Sequence, residues 1–184
     1  MNLLESFKDK ARKNPQRIVL PEGTEPRTVK AASMITREKL AKVTLIGVPD
    51  RPGVAARIFK ALADAAINID MIVQNISHGT TPPSTDLSFT VDKPELLKSR
   101  KVIDGLQKEV GFKEVSADEK IAKLSIVGVG MRSHCGIAAR MFETLAREGV
   151  NIDMISTSEI KVSVVFDLAK AEPAMKAVHA AFLG

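Results

Sequence analysis

Apolar and polar positions along the chain fall into blocks of two different periods, and the blocks occur twice. The run Lys42–Val48 is rich in β-branched residues and predicts a strand. A Pro- and Gly-bearing loop follows it. Then Val54, Ile58, Leu62 and Ala65 recur at i, i+4, i+8 and i+11, which is one apolar face of a helix. Two further strands, Ile69–Asn75 and Asp86–Val91, precede a second helix at about Pro94–Val110. Phe112–Ser116 closes the series as a last short strand. The same order returns with a strand at Lys123–Val129 and a helix whose apolar face is Ile137, Met141, Leu145 and Ala146. Strands at Ile152–Ser156 and Lys161–Phe166 and a helix at Ala171–Phe182 complete it.

The two series are copies of one unit. Ala41–Val48 matches Ala122–Val129 at an offset of 81, and Gly53–Phe59 matches Gly136–Phe142 at an offset of 83. Asn68–Ile72 matches Asn151–Ile155, also at 83. The change of two falls in a loop, where length is tolerated. Each unit reads β-α-β-β-α and needs one more strand to complete a ferredoxin-like sheet. The expected fold is α/β (α+β): two ferredoxin-like βαββαβ modules behind an N-terminal α-β-α extension, divided as 1–41, 42–120 and 121–184. Copy one has its last strand in Phe112–Ser116. Copy two reaches Gly184 at the end of a helix, so its last strand is expected from the N-terminal segment. The best candidate is Arg17–Leu20, bounded by Asn14-Pro15 and Pro21-Glu22-Gly23. A helix over Glu25–Lys39 would then carry the chain from Ile18–Leu20 to a parallel position beside Val43–Ile46 by a right-handed crossover.

Composition narrows the function classes. Apolar residues are 45% of the chain, enough for a real core, but Trp and Tyr are absent and aromatics are 4%, so stacking on nucleic-acid bases is disfavoured. The net charge of +5 does not restore that role. Residues 1–42 hold 10 Lys/Arg against 5 Asp/Glu, and the remainder is balanced. Lys8, Lys10, Arg12, Lys13 and Arg17 read as the solvated face of an amphipathic helix. No nucleic-acid partner is expected. Cys135 is the only cysteine, which fits a reducing compartment. The start has no apolar signal-peptide core, and no run is long enough for a membrane span, so a cytoplasmic protein without a membrane partner is expected.

The candidate chemistry lies in the strand-to-helix loops, Val48–Ala55 in copy one and Val129–Ala138 in copy two. Two roles are open to the first. The free N–H groups at the start of the helix, at Gly53, Val54 and Ala55, can hold a carboxylate while Asp50 accepts an ammonium. Alternatively, Asp50 caps the helix and Gly53 relieves a turn. Gln74 and Asn75, at the end of an apolar strand, can orient a ligand or make turn hydrogen bonds, and Ser156–Glu159 stands in the same place in copy two. His78, His134 and His179 are too scattered for a metal site, and adjacent His134 and Cys135 do not form a nucleophile pair. There is no P-loop. Neither a cofactor nor a catalytic residue is expected.

With these residues in place, 42–184 resembles the tandem ACT regulatory region of aspartate kinases, in particular the separate small regulatory subunit. The match is carried by VTLIGVPDRPGVAARIFKALADA, NIDMIVQN, TDLSFTV, KLSIVGVGMRSHCGIAARMF and NIDMISTSEIKVSVV. The resemblance implies feedback control by bound lysine, threonine or both, and a homodimer formed by pairing of ACT modules. It also implies action on an aspartate kinase catalytic chain, since the kinase motifs are absent here. It transfers effector-binding roles to Asp50, Gly53, Ala55 and Gln74, with Asn151 and Ile152 of copy two closing the pocket, and to Met131, Ser133 and Ser156. The front differs. Residues 1–47, with NLLESFKDKARKNPQRIVLPEGTEPRTVKAAS and LAKVTLIG, resemble the N-terminus of phosphate acetyltransferases. This implies a chimera joined near Lys42–Gly47, whose front is too short to bring that enzyme's active site.

Overall fold

A computed structural model of the chain describes residues 18–19, 33–77, 83–128 and 135–183. Its elements are β1 (Ile18–Val19), β2 (Ser33–Pro49), α1 (Val54–Asp64), β3 (Ile72–Ser77), β4 (Ser84–Asp92), α2 (Leu96–Val110), β5 (Glu114–Val127), α3 (Ile137–Arg147), β6 (Met154–Thr157), β7 (Lys161–Asp167) and α4 (Ala171–Leu183). They form two compact units. One is Glu38–Ile121; the other runs from Ala122 onward and includes the described residues ahead of Glu38.

In the first unit the strands lie in the order β3-β4-β2-β5. Register fixes which side chains share the helix-covered face. Val43 and Ile72 stand opposite Phe89, and Leu45 and Gln74 stand opposite Leu87. Val54, Ile58 and Leu62 of α1 close over this face at the spacing the sequence shows, and Ile103 and Val110 of α2 join them. Phe89 is fully buried, with the Phe59 ring edge-on at 5.8 Å. Burying a side chain of this size contributes about 1.5–3 kcal/mol. Phe112 is buried in the same core, and the other buried residues of this cluster are aliphatic.

The second unit repeats the plan with strand order β5-β7-β6. Leu124 and Ile126, Val164 and Phe166, Met141 and Leu145, and Ala174 and Val178 form its core. One face assignment is corrected. Ala146 is exposed, and Thr144 is buried in its place. Its hydroxyl donates to the Arg140 carbonyl one turn back at 2.7 Å, which lets a polar residue occupy the inner face.

The copies share finer details. Thr44 and Ser88 join hydroxyls at 2.9 Å across β2 and β4, and Ser125 and Ser163 do so at 2.8 Å across β5 and β7. Asp70 N–H donates to the Thr90 carbonyl and Asp153 N–H to the Val165 carbonyl. These bonds lie ahead of the regular ladders, so β3 and β6 begin at Ile72 and Met154, later than the expected Ile69 and Ile152. The repeated arginine is used in two ways. Arg57 on α1 pairs with Glu109 on α2 at 2.8 Å, whereas Arg140 on α3 lies 5.0 Å from the centre of the Phe182 ring on α4.

The front departs from expectation. The helix expected over Glu25–Lys39 is replaced, from Ser33 on, by the first part of the long strand β2; the rest of that expectation lies outside the described residues. Ile18 and Val19 do form a strand, but it runs antiparallel to β2, opposite Ile35 and Met34, and not parallel beside Val43–Ile46. Arg37-Glu38-Lys39-Leu40 are good helix formers, yet strand pairing outweighs a propensity of a few tenths of a kcal/mol per residue. The strands expected at Phe112–Ser116 and from Lys123 are one continuous strand, β5. No helix among the described residues is long and apolar enough to cross a membrane.

Candidate functional site

The site begins with an irregularity in β2. Leu45 pairs with Leu87 but Val48 pairs with Thr85, so β2 carries one extra residue. Gly47 sits in this bulge at φ +66°, a left-handed conformation that favours glycine. Its N–H donates to the Asp86 carboxylate at 2.9 Å. The bulge reverses the strand's alternation, and Val48 turns into the core, where it is 2% exposed. The chain then leaves the sheet as a tight loop. Asp50 N–H donates to the Pro83 carbonyl at 3.1 Å, and Arg51 N–H to the Pro49 carbonyl at 3.1 Å.

Gly53 ends the loop at φ +90°, and a Cβ there would meet no atom within 4 Å. Its glycine is therefore required by backbone conformation and not by space. No side chain caps α1, so Asp50 does not act as its N-cap. Val54 N–H is taken by the Arg51 carbonyl and Arg57 N–H by that of Gly53. The first-turn N–H groups of Ala55 and Ala56 lie between these bonds, at the positive end of the helix dipole.

Around this helix start is a cleft of about 320 Å³, lined by Val48, Pro49, Asp50, Arg51, Pro52, Gly53, Val54, Ala55, Gln74, Thr85 and Leu87. That volume suits a small molecule. Buried Val48, Val54, Thr85 and Leu87 form the floor, while exposed Asp50, Arg51 and Gln74 stand at the rim. The Thr85 hydroxyl donates to the Asn75 carbonyl at 2.6 Å, which ties the β3 wall to the floor. The arrangement offers backbone donors for an anion, a carboxylate for a cation and an amide between them.

Of the residues singled out from sequence, Asp50, Gly53, Val54, Ala55 and Gln74 meet in this cleft. Asn75 neighbours it through its carbonyl but is not part of the lining. Asn151, Ile152 and Ser156 belong to the second unit. Asn151 is exposed, Ile152 packs on that unit's core and Ser156 stands opposite Ser163. Met131 and Ser133 lie outside the described residues, as do His78 and His134. Thr85 and Leu87 were missed; they come from β4, and only the pairing of Gln74 with Leu87 brings them to the site. Among the described residues no three His, Cys, Asp or Glu side chains cluster as a metal site.

Comparison with known proteins places this geometry. Residues 43–105 and 124–182 each match the ACT domain family. The chain is 55% identical over 142 residues to an aspartate kinase of Pseudomonas fluorescens SBW25, an alignment covering 77% of this chain and 34% of that protein. It thus spans about a third of the length of the curated relatives it matches. The regulatory subunit of aspartate kinase from Thermus thermophilus superposes with a TM-score of 0.76 at 40% identity, over 83% of this chain and 99% of that one. A crystal structure of aspartokinase alpha and beta subunits gives 0.75 at 44% identity, over 83% and 99%. The chain therefore belongs to the ACT domain family, with two ferredoxin-like modules that match the regulatory region of aspartate kinases.

Proposed function

We propose that the chain is a non-catalytic regulatory module that binds a free amino acid, lysine, threonine or both, in the cleft at the start of α1. The observation that carries this reading is the convergence of an uncapped helix start, Asp50 and Gln74 on one cleft. The N–H groups of Ala55 and Ala56 would hold the carboxylate, Asp50 the ammonium, and Gln74 would orient the side chain. Asn151, Ile152, Met131, Ser133 and Ser156 of copy two are proposed to take part in effector binding as well. The bound form would act on an aspartate kinase catalytic chain, as a homodimer formed by ACT pairing and with a coupling of about 1–3 kcal/mol. No cofactor takes part. Calorimetric titration of lysine and of threonine into the chain, with thermal shift alongside, tests this. The absence of both heat and thermal shift with either amino acid would sink it.

A second reading is that the chain is a chimera whose phosphate acetyltransferase-like front serves a structural role, with effector binding lost. What favours it is that the family match begins at Val43, leaving residues 1–42 outside. A cooperatively folded chain with no amino-acid response would support it.

A further inference from the structure

We infer that Asp86 is a positioning residue for the ligand loop, holding Pro49–Gly53 in its binding register without touching the ligand. The inference rests on the reading of the cleft as an amino-acid site.

The extra residue in β2 creates the need for a holding group. A bulge turns one peptide out of the regular ladder, and the N–H so displaced needs another acceptor. Gly47 finds it in the Asp86 carboxylate at 2.9 Å. A charge-assisted bond of this kind is stronger than one between neutral groups. From the residue just ahead of β5, Lys113 N–H donates to the Ile46 carbonyl at 2.9 Å, and the Lys113 methylenes pack over Gly47. The bulge is thus pinned from both sides, and its twist aims Val48 inward and the loop toward Gln74.

Asp86 cannot itself serve the ligand. It alternates with Thr85 and Leu87 along β4, and those two line the cleft while Asp86 points to the other face. Removing its carboxylate deletes no ligand contact. It releases the hinge on which Asp50 and the helix start are set against Gln74. Binding should fall because the two walls of the cleft lose their fixed separation.

The test uses the full chain with Asp86→Ala, Asp86→Ser and Asp86→Asn. Lysine and threonine are titrated calorimetrically well below the melting temperature, and amide hydrogen exchange is read at Gly47. Asn presents an oxygen to the same N–H, whereas Ser is too short to reach it. Asp86→Ala and Asp86→Ser should each weaken binding about tenfold and speed Gly47 exchange by a similar factor, while Asp86→Asn stays within about threefold of wild type. Wild-type affinity with a protected Gly47 amide in Asp86→Ala or Asp86→Ser would overturn the inference. A wild-type chain that binds neither amino acid overturns the reading of the cleft instead, and the exchange measurement still decides whether Asp86 holds the bulge.

Discussion

Replacing Gly53 by alanine separates two reasons a glycine can be needed. The residue stands at φ +90°, and a Cβ would meet nothing within 4 Å, so no clash enters the result. The cost is backbone strain alone. A left-handed L-residue costs about 1–2 kcal/mol, and the stiffer unfolded chain returns about 0.4–1 kcal/mol of that. The net loss is about 1 kcal/mol, which lowers the melting temperature of a unit this size by about 4–8 °C. The repeat supplies a control. Gly136 stands at the start of α3 with the same φ of +90° and the same open surroundings. Gly136→Ala should therefore cost about as much stability as Gly53→Ala. Asparagine tolerates the left-handed region, so Gly53→Asn should recover much of the loss. Scanning calorimetry of the three variants reads this directly. A melting temperature for Gly53→Ala equal to wild type, or an asparagine no better than alanine, would refute the argument. In titrations with lysine and threonine, Gly53→Ala should also lose affinity and Gly136→Ala should not, because Gly53 lines the cleft and Gly136 does not.

Three further outcomes follow from the geometry. Asp50→Asn, at an exposed position, should leave stability within about 0.5 kcal/mol and weaken amino-acid binding by about tenfold to a hundredfold; calorimetric titration and a denaturant melt check the two halves. Ser163→Ala strands the buried Ser125 hydroxyl and should cost about 1–3 kcal/mol, whereas Ser125→Ala combined with Ser163→Ala should cost less than the sum of the singles. A double-mutant cycle by urea unfolding would expose simple additivity if this is wrong. Deleting residues 1–30 removes the pairing partner of Met34 and Ile35, and it should bring aggregation or a broadened melt in light scattering and calorimetry. An unchanged profile would count against a structural role for the front.

The repeat was readable because packing writes the same face twice. Val54, Ile58 and Leu62 on α1, like Met141 and Leu145 on α3, are buried at the spacing the sequence shows. The errors sit where a distant partner decides. Met34 and Ile35 lie within the span expected as helix, but the strand Ile18–Val19 pairs with them. Thr144 looks polar until its hydroxyl is satisfied within its own helix. Alternation from Ala41 through Leu45 would put Val48 outside, and only the bulge at Gly47 turns it in; a glycine inside a strand was the available signal. The candidate site was legible on the stretch from Asp50 to Ala55 and at Gln74. Its floor at Thr85 and Leu87 was not, since strand register is a tertiary fact. Asp86 was hidden for the same reason.

The two arginines of the repeat give the copies different sensitivities to ionic strength. Arg57 meets Glu109 through a contact with both side chains about half exposed, at 55% and 54%. Such a pair contributes at most about 1 kcal/mol and fades as salt is added. Arg140 lies over the Phe182 ring, where a quadrupole replaces the counter-charge. Added salt should therefore loosen the α1–α2 contact and leave α3–α4 nearly as it was. One inherited residue thus distinguishes the copies by their surroundings alone, and a salt titration followed by exchange at the helix amides would read each copy separately.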